Sequence, residues 1–325
     1  MSSGNARKIA ALGATGAFVA AGTIASAVPA QAGLTTTCVG SAGAVTVPGD
    51  LVVPAGESCE LSGTIIEGTT IVRGGADLVL LDGAELRGEV TVRNDGFIAT
   101  EQSAVNAQVN LRAAFGGYFV ESTTEGVIDS RNGSYVYSLD STHNAELTSR
   151  QSELYVESAT VNADVTSRND TYADLYDSTV TGDVLVARVN EGSLICKSEV
   201  DGNAILRHGD GDIQIGAESP LPDCGFNVFG SDLRLVNNTG EIQLSNNVIR
   251  NNLICRDNAN APVGEDNRVR GDARHQCEEI EPAAAQLGFG TNNAFDRSAD
   301  AEGKFEARLS QAEKAVEKAG SANIG

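Results

Sequence analysis

Val90-Thr-Val-Arg93, Val109-Asn-Leu-Arg112, Ile128-Asp-Ser-Arg131, Leu147-Thr-Ser-Arg150 and Val165-Thr-Ser-Arg168 are five versions of one phrase, each ending on arginine. The arginines stand 19, 19, 19 and 18 residues apart. Outward from this stretch the phrase continues, as Thr69-Thr-Ile-Val-Arg73 before it and as Val184-Leu-Val-Ala-Arg188 and Ala204-Ile-Leu-Arg207 after it. A period near 19 is too short for two-helix repeats or propeller blades, and its apolar/polar alternation in β-branched residues is strand patterning. Turn residues follow most of the arginines, as in Asn94-Asp-Gly96, Asn132-Gly133 and Asn169-Asp170. Gly, Asn and Asp tolerate the left-handed backbone of a sharp corner. The expected fold is all-β: a right-handed parallel β-helix of about 19 residues per coil, with the arginines before one corner.

Around that core, four segments are expected. Residues 1–32 read as a signal peptide: Arg7 and Lys8 precede an Ala/Gly-rich apolar run, and Ala30-Gln-Ala32 offers a cleavage site. Residues 33–63 are an irregular N-terminal cap, because an open solenoid end exposes strand edges and core. The β-helix spans 64–277, with Val90, Val109, Ile128, Leu147, Val165 and Val184 as one inward column and Leu81, Val120, Leu139 and Val156 as another. Residues 278–325 are a linker and an amphipathic tail helix over Ala299 to Ala319. Its stripe is Phe305, Leu309, Ala312 and Val316, and Gly303 weakens its first turn. Folding back over the final coil is the simplest role for that helix; docking a partner and remaining a frayed tail are the alternatives.

The chain carries a formal charge of −21, and loss of Arg7 and Lys8 with residues 1–32 takes it to −23. That excess excludes nucleic acid held by global attraction. No stretch reads as a transmembrane segment. Six cysteines fall into three close pairs, and an even count after a secretion signal implies disulfides. Among fifteen connectivities the nearest-neighbour set, Cys38–Cys59, Cys196–Cys224 and Cys255–Cys277, fits a fold that brings residues one coil apart together. Around Pro220-Leu-Pro222-Asp-Cys224-Gly225 the phase slips, as a loop thrown out of one coil requires.

Val248, Asn252-Leu253, Cys255, Asp257-Asn258, Pro262, Asn267, Val269, Gly271 and Gln276-Cys277 resemble the closing coils of secreted actinobacterial right-handed parallel β-helix repeat proteins. Their general fold is shared with pectate-lyase-like enzymes. The resemblance runs from about Leu51 to Cys277 and implies the fold and an extracellular or cell-surface address. It carries over no catalytic residue.

Candidate chemistry lies in three groups. Stacked arginines repel one another by roughly 1 kcal/mol per neighbouring pair in water, so they require counter-charge or an anionic ligand. Glu89, Glu146, Asp164 and Asp183 on the same strands are the nearest acids in sequence. A second column, Asp82, Glu101, Glu121, Asp140, Glu157 and Asp177, lies half a turn away; Glu121, Asp140, Glu157 and Asp177 supply the oxygens a Ca²⁺ site uses, and no other cofactor is indicated. All six tyrosines fall within 59 residues, Tyr118 to Tyr176. Tyr118, Tyr137, Tyr155, Tyr172 and Tyr176 beside Arg112, Arg131, Arg150 and Arg168 suit sugar rings, whose C–H faces stack while their hydroxyls bond charged groups. Phe115 and Phe119 join that side. The expected function is therefore a carbohydrate- or cell-envelope-polymer-binding module. The alternative is a polysaccharide lyase using His143, Tyr155, Arg150 and Arg131, or a hydrolase using paired carboxylates such as Asp140 and Glu157. A structural rod that self-associates is the third reading, since flat ladders invite lateral packing.

Overall fold

A computed structural model describes residues 34–217, 221, 224–282 and 294–324; the signal-peptide expectation lies outside them. The described chain winds as a three-sided parallel β-solenoid. Its three sheets hold 13, 11 and 12 strands, running from Thr35–Thr37 to Ala273–His275 (sheet 1), Gly40–Ala42 to Ile242–Leu244 (sheet 2) and Thr46–Val47 to Arg268–Val269 (sheet 3). Every strand pairs with the same sheet position one coil away, so side chains stack on their own repeats at about 4.8 Å.

The inward column Val90, Val109, Ile128, Leu147, Val165 and Val184 is in register and buried. The second expected column is out of phase. Leu81, Val120 and Leu139 stand half-buried at the end of sheet 2 and align with Glu157, whereas Val156 points inward with Phe119 and Ser138. Val156 follows Leu139 by 17 residues where the coil takes 18, and in a strand a shift of one residue exchanges faces.

Two corners carry left-handed residues. After sheet 1 come Asn94, Ala113, Asn132, Gln151 and Asn169, and after sheet 2 come Asp82, Gln102, Glu121, Asp140, Ser158 and Asp177. At the second corner a serine ladder satisfies the backbone. The amide of Ser103 donates to the Ser122 hydroxyl at 3.3 Å and that of Ser122 to Ser141 at 3.0 Å. Each hydroxyl donates back to its own strand, Ser122 to the Val120 carbonyl at 2.7 Å and Ser141 to Leu139 at 2.9 Å. In the last coils Asn227, Asn247 and Asn267 take over, linked amide to amide at 2.9 Å. No expectation from the sequence included these ladders, although serine recurs at the repeat period.

Residues 35–62 already form strands in register with the coils that follow, so they are the first coils and not an irregular cap. The first coil is closed from the other terminus. The Ser41 amide donates to the Gly320 carbonyl at 2.9 Å and the Ala322 amide to the Ser41 carbonyl at 2.7 Å. Ile324 is buried against the solenoid core. Gly320 takes φ +79°, which turns the chain from helix to strand.

The helix Ala294–Ala319 runs uninterrupted through Gly303 and lies on the outer face of sheet 2, over the first two-thirds of the solenoid and not over the final coil. At 26 residues it is about 39 Å long, enough to span eight strand spacings. Phe305, Ala312 and Val316 of the expected stripe are buried and Leu309 partly so. Two arginines pin it. Arg297 meets Asp174 through two hydrogen bonds of 3.0 Å, both groups withdrawn from water, and Arg308 meets Asp77 at 2.6 Å.

The three expected disulfides are formed. Cys196–Cys224 fixes Cys224 to the sheet-2 strand that holds Cys196, and the Gln214 side chain donates to the Ala217 and Leu221 carbonyls, both at 2.7 Å; the rest of the expected loop lies outside the described residues. Replacing Arg297 by Met strands the buried Asp174 carboxylate and is expected to lower unfolding free energy by roughly 3–5 kcal/mol in a urea titration; an unchanged midpoint would mean that the helix is not seated there.

Candidate functional site

Arginines and tyrosines occupy different faces. Arg93, Arg112, Arg131, Arg150 and Arg168 are in register on the outside of sheet 1. Arg188 steps out of the row, and Ala187 fills its place, because its phrase is one residue longer. Tyr118, Tyr137 and Tyr155 are in register on the outside of sheet 2, their rings stacked at 4.9 and 5.0 Å. A shared Tyr/Arg groove does not exist.

The helix covers the tyrosines. Phe305 stacks on Tyr118 and meets Phe97 at 5.6 Å, the Arg297 guanidinium lies 5.6 Å from the Tyr172 ring, and Tyr118, Tyr137, Tyr155 and Tyr172 are each at most 8% exposed. Burial pushes the Tyr118 hydroxyl up to about 12 and raises those of Tyr137 and Tyr172 as well. These phenols seat an intramolecular helix. Tyr176 stands apart at the edge of sheet 2, where it accepts a 2.7 Å hydrogen bond from Lys197. Phe115 lies under Arg308, 5.1 Å from ring centre to guanidinium, while Phe119 points into the solenoid core.

His143 also points inward. Its Nδ1 is 2.8 Å from the Thr124 hydroxyl and its Nε2 2.8 Å from that of Ser138, with Phe119 edge-on. Burial lowers its pKa to about 4, so it is a neutral core residue at pH 7. It belongs to a polar stretch of the lumen that includes Ser130, Ser149, Ser167 and the buried Asp170, whose carboxylate accepts from the Ser167 hydroxyl at 2.6 Å and the Ser152 amide at 2.9 Å. Burial raises the pKa of Asp170 despite those bonds. His143 in the lumen, Tyr155 under the helix and Arg131 and Arg150 on sheet 1 face three ways and form no single constellation.

The acidic candidates part company too. Glu121, Asp140 and Asp177 are exposed residues in the left-handed corner, whereas Glu157 sits one position earlier and accepts the Tyr155 hydroxyl at 2.9 Å. Asp140 and Glu157 therefore do not share a position in adjacent coils. Among the described residues no group of three or more His, Cys, Asp or Glu side chains is placed to hold a metal ion.

Sheet 1 retains solvent-facing charge. Asp129, which the sequence did not single out, serves two arginines: Arg131 at 2.7 Å and Arg112 at 2.9 Å. Burial would push the Asp129 carboxyl up, but hydrogen bonds from Arg131 and Arg112 outweigh it and hold its pKa below the ordinary value. Asp164 and Asp183, expected as counter-charge, accept backbone amides of the next coil at the other end of the strand. Glu89 accepts from Asn110 and Glu146 from Thr148, both at 2.8 Å. Arg93, Arg150 and Arg168 have neither ion pair nor side-chain hydrogen bond among the described residues.

The chain matches no protein-family model, no curated protein and no solved structure. Its class, a disulfide-bonded parallel β-solenoid sealed by its own C-terminal helix, rests on the geometry above. Among the described residues no helix is long and apolar enough to cross a membrane.

The buried imidazole gives a pH signature. Because the folded pKa of His143 lies below the unfolded value near 6.5, the unfolded chain binds the proton first, and stability falls as pH drops from about 6.5 to about 4. The slope corresponds to about 3 kcal/mol across that window. His143→Gln is expected to flatten it in thermal melts taken between pH 7 and 4; an identical pH profile would show that the ring is not enclosed.

Proposed function

We propose that this protein is a secreted β-solenoid that binds an acidic glycan or other anionic envelope polymer along the arginine row of sheet 1. The carrying observation is that row: five guanidiniums in register from Arg93 to Arg168, two sharing one carboxylate and three, Arg93, Arg150 and Arg168, with none among the described residues. An isolated rod gains nothing from stacking like charges at about 5 Å, whereas a polymer with repeating carboxylates or phosphates laid along the axis meets one guanidinium per coil. The net charge of −21 does not defeat this. At physiological salt, charges more than about 8 Å away are largely screened, so a chain lying on sheet 1 responds mainly to the local row.

Three disulfides are compatible with the extracellular address, and the likeness of the closing coils to secreted actinobacterial β-helix proteins belongs to the same proposal. The reading is of a binding surface and not of an enzyme, because the lyase candidates do not converge. Nothing in the geometry favours a bound Ca²⁺ over its absence.

A polyuronate such as polygalacturonate tests this. Binding followed by calorimetry is expected to weaken as salt rises. The double variant Arg150→Gln/Arg168→Gln is expected to bind about fivefold more weakly, equivalent to about 1 kcal/mol, and Asp129→Asn, which frees two guanidiniums, more tightly. Equal affinity for all three proteins would discard the row. A rise in the ultraviolet absorbance of unsaturated product would put a lyase in place of the binding module.

A further inference from the structure

The corner after sheet 2 is polar in coil after coil, with Asp82, Gln102, Glu121, Asp140, Ser158, Asp177 and Lys197, and later Asn246 and Asp266. Phe226 interrupts it. The pairing of Asn227 with Asn247 puts Phe226 directly in line with Asn246, and its ring is 64% exposed. A large apolar side chain at a solvent-facing corner contributes little to the core, and packing does not explain it. It is nevertheless firmly placed, two residues after the Cys196–Cys224 disulfide and one before Asn227, whose amide is locked into the asparagine ladder at 2.8 and 2.9 Å.

Phe226 borders an open groove of about 640 Å³ lined also by Asn246, Val248, Asp266 and Arg268. Phe226, Asn246 and Asp266 occupy successive coils, so the groove runs about 10 Å along the axis, two strand spacings. Val248 and Arg268 are neighbours in sheet 3 on its floor. The Asp266 carboxylate and Arg268 guanidinium have no side-chain partner among the described residues. The Asn246 amide group donates to the Gly216 carbonyl at 3.2 Å, which leaves its side-chain oxygen as an acceptor.

We infer that this groove is a second binding site, for one or two pyranose rings of a neutral glycan. An aromatic face at one end accepts the C–H side of a sugar, and a carboxylate, a guanidinium and an amide oxygen lining the same groove supply both acceptors and donors for paired hydroxyls. One positive and one negative charge side by side favour a neutral ligand over an anionic one, which separates this site from the arginine row and makes it independent of that reading. It lies on sheet 3 near the disulfide-anchored loop, away from the helix-covered face.

Saturation-transfer NMR on the full chain with cellotetraose and tetra-N-acetylchitotetraose tests the site. At least one probe is expected to receive saturation on its ring protons. Phe226→Ala is expected to weaken that binding roughly tenfold, and Arg268→Gln also to reduce it, with unchanged thermal midpoints because both residues are exposed. Absence of saturation with both probes, or equal signals from wild type and Phe226→Ala, would overturn the proposal. Concentration-dependent self-association abolished by Phe226→Ala would overturn it too, by assigning the groove to a second copy.

Discussion

Parallel in-register stacking imposes one constraint on everything else: whatever stands at a position of one coil meets its counterpart about 4.8 Å above and below. For Val, Leu and Ile this produces a continuous core from units too small to fold alone. For Ser and Asn it produces hydroxyl and amide ladders that occupy the corner amides. The same rule applied to arginine is unfavourable, and the solenoid meets that cost only in part, through Asp129 between Arg112 and Arg131. A feature that stacking alone disfavours is the one that points beyond the fold.

The second determinant is the long-range contact of the helix with sheet 2. That sheet presents outward a surface of Phe97, Tyr118, Tyr137 and Tyr155 that would be a large apolar patch if bare. Burying Phe305 alone contributes about 2 kcal/mol. The two arginine–carboxylate pairs add placement more than energy, since taking charges out of water offsets most of what their attraction returns. The aromatic ladder is therefore part of the solenoid's stability.

The coil length, the main core column, the disulfide pairs and the apolar stripe of the helix were all legible in the sequence, because each depends on spacing along the chain. What was not legible depends on phase and on distant partners. Tyr137 and Phe119 are both aromatic residues of neighbouring sheet-2 strands, yet one faces the helix and the other the lumen, and one residue of register separates the outcomes. His143 departs from the repeat just as a catalytic residue would; only its enclosure by Thr124, Ser138 and Phe119 shows it to be a core substitution. Arg297 and Arg308 lie 123 and 231 residues from the aspartates they bind, a distance no local pattern spans. Phe226 was visible as a residue but not as an anomaly, since the phase slip before it hid which column it joins.

The pairing of Ser321 beside Ser41 means that the segment following the helix completes the first described coil. Without that segment the opening coil keeps an unsatisfied edge, and without the helix the aromatic ladder stays uncovered, so one continuous stretch closes both. Both described ends of the chain emerge together there. An attachment at either end would hold the rod by the same tip and leave the opposite tip, with the Phe226 groove toward it, pointing outward.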